Sequence, residues 1–199
     1  MELLPIDQTN WREASKILVT DEQLRFVAAH QPVALVILAK AFLHVDERVW
    51  EPFALSNEAS HLCGVVALVF DGRLCEIFHL AIDYRLQGRG YGSLAMTEIV
   101  RYATHNRGCD ELKLTVHPEN EHAQHIYARA GFLRNGQERH GEPVWVFTTN
   151  QPPPVSSAAT NALEAFLGSA DSGDSDWATR DVHELRRELT SRTQSKLPS

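Results

Sequence analysis

The chain has 199 residues, 43% of them hydrophobic and 23% charged, which allows one packed domain of ordinary globular composition plus an extension. Its formal net charge of −7 offers no basic footprint for a phosphate backbone, so nucleic acid is excluded as the expected partner and a cationic substrate suits the balance. Three cysteines without a CxxC pair, no basic-then-apolar leader and no apolar run long enough for a bilayer point to a reduced, cytoplasmic protein with no membrane association.

Leu3 to Ile6 reads as a strand. Asn10, a good helix cap, precedes a helix expected from Trp11 to Val19. A second helix is expected from Asp21 to Ala29, and a third from Val33 to Leu43 with Pro32 in its first turn. Strands follow at Trp50 to Ser56, Leu62 to Phe70 and Arg73 to Ile82, the last two joined by an Asp71-Gly72 hairpin turn. Alternation in the third of these places Glu76, Phe78 and Leu80 on one face and Cys75, Ile77, His79 and Ala81 on the other. The cluster Gln87-Gly88-Arg89-Gly90-Tyr91-Gly92 then opens a helix with apolar positions at Ala95, Met96, Ile99, Val100 and Ala103. Leu112 to His117 alternates as a strand. Asn120 to Ala130 is a helix closed by Gly131, followed by strands at Phe132 to Gly136 and Val144 to Thr149.

The composition shifts after Asn150, which divides the chain into a domain of residues 1–150 and a tail of residues 151–199. Pro152-Pro153-Pro154 marks a linker. Beyond it lie two small apolar groups, Leu163, Phe166 and Leu167, then Val182, Leu185 and Leu189 at i, i+3 and i+7. That is too little apolar surface to fold alone, so the tail is expected to be partly helical and to dock on protein: its own domain, a mate subunit or another partner.

Glycines between a strand and an amphipathic helix make an anion site, because backbone N–H groups converge there with the positive end of the helix dipole. A plain surface turn is the bland alternative. The dinucleotide fingerprint and the P-loop are both absent. Further on, Asn120, Ala123 and Tyr127 at i, i+3 and i+7 share one stripe of their helix. The small residue leaves room for a ligand chain, and the Tyr127 phenol can act as a general acid or sit as a satisfied core tyrosine. His117, His122 and His125 cluster nearby without a supporting carboxylate pattern, so no metal is expected.

Gln87, Gly90 and Gly92 satisfy Q-x-x-G-x-G/A, and Asn120, Ala123, Tyr127, Gly131 and Phe132 satisfy N-x-x-A-x-x-x-Y-x-x-x-G-F. Together these resemble the two central motifs of the GNAT superfamily of N-acetyltransferases, over residues 1–149. The resemblance implies an α/β (α+β) fold with a mixed twisted sheet of six or seven strands flanked by helices. It implies acetyl-CoA as acyl donor, bound where the fourth and fifth strands splay apart. Gln87, Gly88, Arg89, Gly90, Tyr91, Gly92 and Ser93 would hold the pyrophosphate; Leu80, Ala81 and Ile82 would pair with the pantetheine arm. Asn120 and Ala123 would flank the cofactor, and Tyr127 would protonate the leaving thiolate.

For the base, Glu76-Ile77-Phe78-His79-Leu80-Ala81-Ile82 resembles the strand that carries a base glutamate in the histone-acetylating branch. Burial would raise such a carboxylate's pKa, whereas a salt bridge would explain Glu76 without catalysis; His79 is the other candidate base. For the acceptor, Asn10-Trp11-Arg12-Glu13, Asp21-Glu22-Gln23, Phe26-Val27-Ala28 and Trp50-Glu51-Pro52-Phe53-Ala54 resemble bacterial spermine/spermidine (diamine) acetyltransferases. Two departures are Ala29-His30 in place of a polar residue and His79 in place of an arginine. A small-molecule amine, foremost a polyamine, is therefore the expected acceptor, with Asp46, Glu47 and Glu51 as acidic candidates by position. The alternatives are a protein or peptide N-acetyltransferase and an acyl-CoA-binding regulatory module whose tail binds a partner. Many relatives of this kind are dimers, which makes a homodimer an expectation by resemblance. Short stretches of the tail, Leu167-Gly168-Ser169, Asp174-Ser175-Asp176 and Val182-His183-Glu184-Leu185, resemble VapB-type antitoxin tails.

Overall fold

The computed structural model describes residues 1–149. The expected linker, tail helices and tail docking groups lie outside the described residues.

Seven strands form one sheet in the order β1-β2-β3-β4-β5-β7-β6. They are β1 (Glu2–Pro5), β2 (Trp50–Ser56), β3 (Leu62–Asp71), β4 (Leu74–Ile82), β5 (Glu111–Thr115), β6 (Leu133–Arg139) and β7 (Glu142–Thr148). All neighbours are antiparallel except β4 and β5. The helices are α1 (Trp11–Ala14), α2 (Asp21–Val27), α3 (Val33–Leu43), α4 (Tyr91–Arg101) and α5 (Glu121–Arg129). This is the mixed α/β sheet flanked by helices that the motifs imply.

Strands β2 to β4 are buried on both faces, whereas β6 is exposed along its length. Phe53, Leu55, Leu68, Met96, Ile99, Leu112 and Phe132 form the core on the α4 side. Val33, Ala34, Ile37, Trp50, Val65 and Ala67 form the core on the side of α1 to α3. Helices on both faces explain why β3 reads as a continuous apolar run rather than an alternating one.

Three local differences from the sequence expectation have physical causes. The first helix stops at Ala14, and Ile17 and Val19 are buried outside it. A capping box at Thr20 and Gln23 starts α2 at the expected place, so the first helix alone is much shorter than expected. Strand β6 runs on to Arg139 because Gly136, at φ 82°, lies within a register shift between Arg134 and Glu138.

The third difference matters for the site. Val65 pairs with Ala81, but Ala67 pairs with Phe78, so β4 carries one extra residue there. His79, at φ 54°, sits in this bulge. The alternation of β4 reverses across it. Cys75 and Ile77 belong to the α4-side core, yet beyond the bulge Leu80 and Ile82 pack on that side and Ala81 turns to the other. The expected faces of Leu80 and Ala81 are thereby exchanged. Gly64 faces the same segment: a Cβ there would lie 2.5 Å from the Ala81 carbonyl oxygen, so only glycine fits between β2 and this part of β4.

Candidate active site

Strands β4 and β5 pair over residues 74–76 and 111–113. Beyond that point β5 continues along β7, with Thr115 opposite Val144, while β4 follows β3. The sheet therefore opens into a V, and residues 77–82 present a strand edge without a β5 partner.

A cleft of about 490 Å³ occupies this opening. Leu80, Ala81 and Ile82 form its β4 wall; Gln87, Gly88, Gly90, Tyr91, Gly92 and Ser93 form its floor; Asn120, Ala123 and Tyr127 line it from α5. The two motifs, far apart in sequence, meet across one cavity. Arg89 is exposed and does not line it.

Gly88 and Gly90 have φ of 74° and 81°, which L side chains rarely adopt, and a Cβ at either would meet open space. Gly90 is the N-cap of α4 and supplies no side chain to its first N–H groups. Those donors are left for an anion in the cleft. Gln87 has a different task. Its amide donates to the Ile82 carbonyl at 2.9 Å and exchanges two hydrogen bonds with Gln23, at 2.8 and 3.1 Å. It ties the glycine loop to β4 and to α2.

The Asn120 side chain caps α5 by accepting from the Ala123 N–H at 3.2 Å. This fixes the helix register that brings Tyr127 into the cleft. Tyr127 is half-buried, 6.3 Å from Phe132 between ring centroids. Burial pushes its phenol up to about 12, with the Glu142 carboxylate adding to the shift. The hydroxyl therefore stays protonated throughout the neutral range.

A second cavity, about 670 Å³, lies beyond α2 and shares Phe26 and Val27 with the first. Ile77, Phe78 and His79 line it from β4, Thr115 from β5 and Glu142 from β7. Asp21 and Arg25 line it from α2, and Arg25 is paired with Glu119 at 3.0 Å. Asp21 and Glu142 are its carboxylates, and neither has an ion-pair partner among the described residues.

Both bases expected from the sequence are engaged elsewhere. Glu76, 12% exposed, pairs with Arg48 at 3.2 Å and with Arg139, one guanidinium on each carboxylate oxygen. Burial alone would raise its pKa, but Arg139 and Arg48 outweigh that and hold the carboxyl below its usual value. Glu76 lines neither cavity. The structure thus replaces the expectation of a free base with that of a cross-sheet ion pair. His79 Nδ1 donates to the Val27 carbonyl at 2.6 Å, which leaves Nε2 to accept from Lys40 Nζ at 2.8 Å. Burial lowers the His79 pKa and nearby Lys40 lowers it further, against the Val27 hydrogen bond, so the ring is neutral with both nitrogens occupied.

The acidic residues proposed for the acceptor by position are also elsewhere. Glu51 pairs with Arg107 at 2.7 Å, and Asp46 and Glu47 form a left-handed turn after α3. Asp83, at the end of β4, is 1% exposed; it accepts from the Arg85 guanidinium and from the Leu18 N–H, joining the end of β4 to the segment between α1 and α2.

The Glu76 pairs make a stability prediction. A carboxyl whose folded pKa is depressed stabilises above its unfolded value of about 4.3, and that contribution is lost as pH falls through the folded value. Thermal melting below about pH 4.3 should therefore fall more steeply for the native chain than for Glu76→Gln. Parallel melting curves would show that the pairs contribute nothing.

The acetyltransferase (GNAT) family model matches residues 11–132, more than half of the chain and both motifs. The chain belongs to the GNAT acetyltransferase family. It carries the cleft and the motifs of an acyl-CoA-dependent N-acetyltransferase. Among solved structures it is similar to spermidine N-acetyltransferase from Vibrio cholerae in complex with CoA and spermine, at 16% identity and TM-score 0.58, over 74% of this chain and 94% of that one. It is likewise similar to the Campylobacter jejuni N-acetyltransferase PseH in complex with acetyl coenzyme A, at 18% identity and TM-score 0.53, over 75% and 99% of the two chains. At such identities these likenesses concern the fold. No curated protein matches the sequence. Among the described residues no helix is long and apolar enough to cross a membrane, and no group of three or more His, Cys, Asp or Glu side chains gathers as a metal site.

Proposed function

We propose that this GNAT protein transfers the acetyl group of acetyl-CoA to a primary amine of a polyamine such as spermidine or spermine, by direct attack in a ternary complex. The carrying observation is the second cavity. It adjoins the cofactor cleft at Phe26 and Val27, and among the described residues its unpaired charges are the carboxylates Asp21 and Glu142, while Arg25 is neutralised by Glu119. Such a cavity suits a chain with more than one ammonium. The similarity of the fold to a spermidine N-acetyltransferase adds support. The protein-acetylating alternative drew on Glu76, whose carboxylate is held by two arginines.

The chemistry follows from the arrangement. The pyrophosphate of CoA lies on the glycine loop at the start of α4, and the pantetheine arm runs along the free edge of β4. The thioester then reaches the junction of the two cavities beside Tyr127. The amine arrives from the second cavity and attacks the carbonyl carbon, forming the N–C bond. When the C–S bond breaks, the Tyr127 phenol gives its proton to the leaving thiolate. The phenoxide takes back a proton from the nitrogen as it becomes an amide.

An acceptor panel tests the substrate class. With acetyl-CoA saturating, spermidine and spermine should exceed an aminoglycoside and an N-terminal peptide in kcat/KM. A peptide that outperforms every polyamine would move the protein to the protein-acetylating class.

A further inference from the structure

We propose that Glu142 is the general base of the acceptor site and takes the proton from the ammonium of the incoming amine. This deepens the acetyl-transfer reading above and rests on it.

Four observations carry the assignment. Glu142 opens β7 and lines the acceptor cavity from the β5–β7 side of the splay, where Val144, two residues on, pairs with cavity residue Thr115. It shares this cavity with His79, which lines it from β4. Its cross-strand neighbour on β6 is Arg139, the natural cation to neutralise it, but that guanidinium is taken by Glu76. Among the described residues, the Glu76 pair with Arg139 therefore leaves the Glu142 carboxylate without an ion-pair partner. Finally, the cavity that Glu142 lines adjoins, at Phe26 and Val27, the cleft that Tyr127 lines, and the Glu142 charge acts on the phenol.

The other charged and titratable groups that line this cavity do not compete for the role. His79 has both nitrogens bonded, to Val27 and Lys40. Arg25 is bound to Glu119. Asp21 belongs to the first turn of α2, where it suits the helix dipole and a second, non-reacting ammonium of the substrate.

Protons and bonds balance. The Glu142 carboxylate removes one proton from R–NH3⁺ and later releases it to water. The neutral amine attacks, the N–C bond forms and the C–S bond breaks. Tyr127 protonates the sulfur and regains the second nitrogen proton. The products are the acetamide, CoA thiol and one proton.

The test is the pH dependence of free-thiol release with acetyl-CoA and spermidine, for the full native chain, Glu142→Gln and Glu142→Asp. Glu142→Gln should bind acetyl-CoA normally by calorimetry and lose about a hundredfold in kcat/KM at pH 7, the low end for a lost general base. Its rate should then climb with pH as the free-amine fraction rises toward the amine's own pKa, about 10. Glu142→Asp should keep the native profile at a reduced kcat. A Glu142→Gln enzyme with native kcat and profile overturns the proposal. So does one whose KM for spermidine alone rises by the same factor at every pH, because that is binding without proton transfer. If Glu142→Gln loses acetyl-CoA binding, Glu142→Asp decides: a profile shifted away from the native one overturns the assignment, and the native profile sustains it. If the native chain releases no thiol with any amine, the acetyl-transfer reading itself falls, which is a separate result from failure of Glu142.

Discussion

Tyr127→Phe should lower kcat by about 10²–10⁴-fold while leaving the KM for acetyl-CoA nearly unchanged. The substitution keeps the ring that packs near Phe132 and lines the cleft, and removes the hydroxyl proton alone. Burial and the Glu142 charge hold the phenol near 12, so at neutral pH the native residue is a fully protonated donor. A thiolate that leaves without this proton is a poorer leaving group, and the loss falls on the chemical step rather than on binding. Steady-state thiol release across neutral pH measures it. A fully active variant would mean that water protonates the thiolate and that Tyr127 shapes the cleft without taking part.

Gly90→Asp should weaken CoA binding by at least about a hundredfold. Two charge-assisted hydrogen bonds from the loop to a bound pyrophosphate would contribute about 1.5–3 kcal/mol each, and either range exceeds a tenfold change. The new carboxylate would occupy the open space above the loop that a Cβ at position 90 meets, and would repel the phosphates. The backbone there is left-handed, at φ 81°, and aspartate tolerates that region better than most residues. The fold should therefore survive while the anion site does not. Calorimetry with CoA, beside a melting curve, separates the two effects. Native affinity in a folded variant would remove the loop from the cofactor site.

Glycine spacing and the Asn-Ala-Tyr stripe made the cofactor side legible in the sequence, because both are local patterns whose chemistry follows from backbone geometry. The structure gathers Gly88, Gly90, Asn120, Ala123 and Tyr127 around one cleft, as those patterns imply. The proposed acceptor side was not legible for the opposite reason. Asp21 and Glu142 lie more than a hundred positions apart and belong to no motif; what brings them to one cavity is the splay between β4 and β5 and the antiparallel return of β7. Glu76 drew notice as a charge in an apolar strand, yet its two cations come from before β2 and from β6, which no local reading of β4 could supply. The bulge at His79 escaped the alternation rule because a single inserted residue exchanges the faces of every residue after it. Gln87 was in the motif, but its amide pair with Gln23 spans 64 positions, so its buttressing role was hidden.

Movement of an acetyl group from CoA to an amine can be read in a single reaction. The most direct measurement follows CoA thiol and acetylated spermidine together in one reaction of the full chain with acetyl-CoA and spermidine. Both should appear in equal amounts, and thiol release should stop when the amine is left out. Thiol release that ignores the amine, or acetyl-CoA binding with no acetylated product from any amine, would contradict acetyl transfer by this chain.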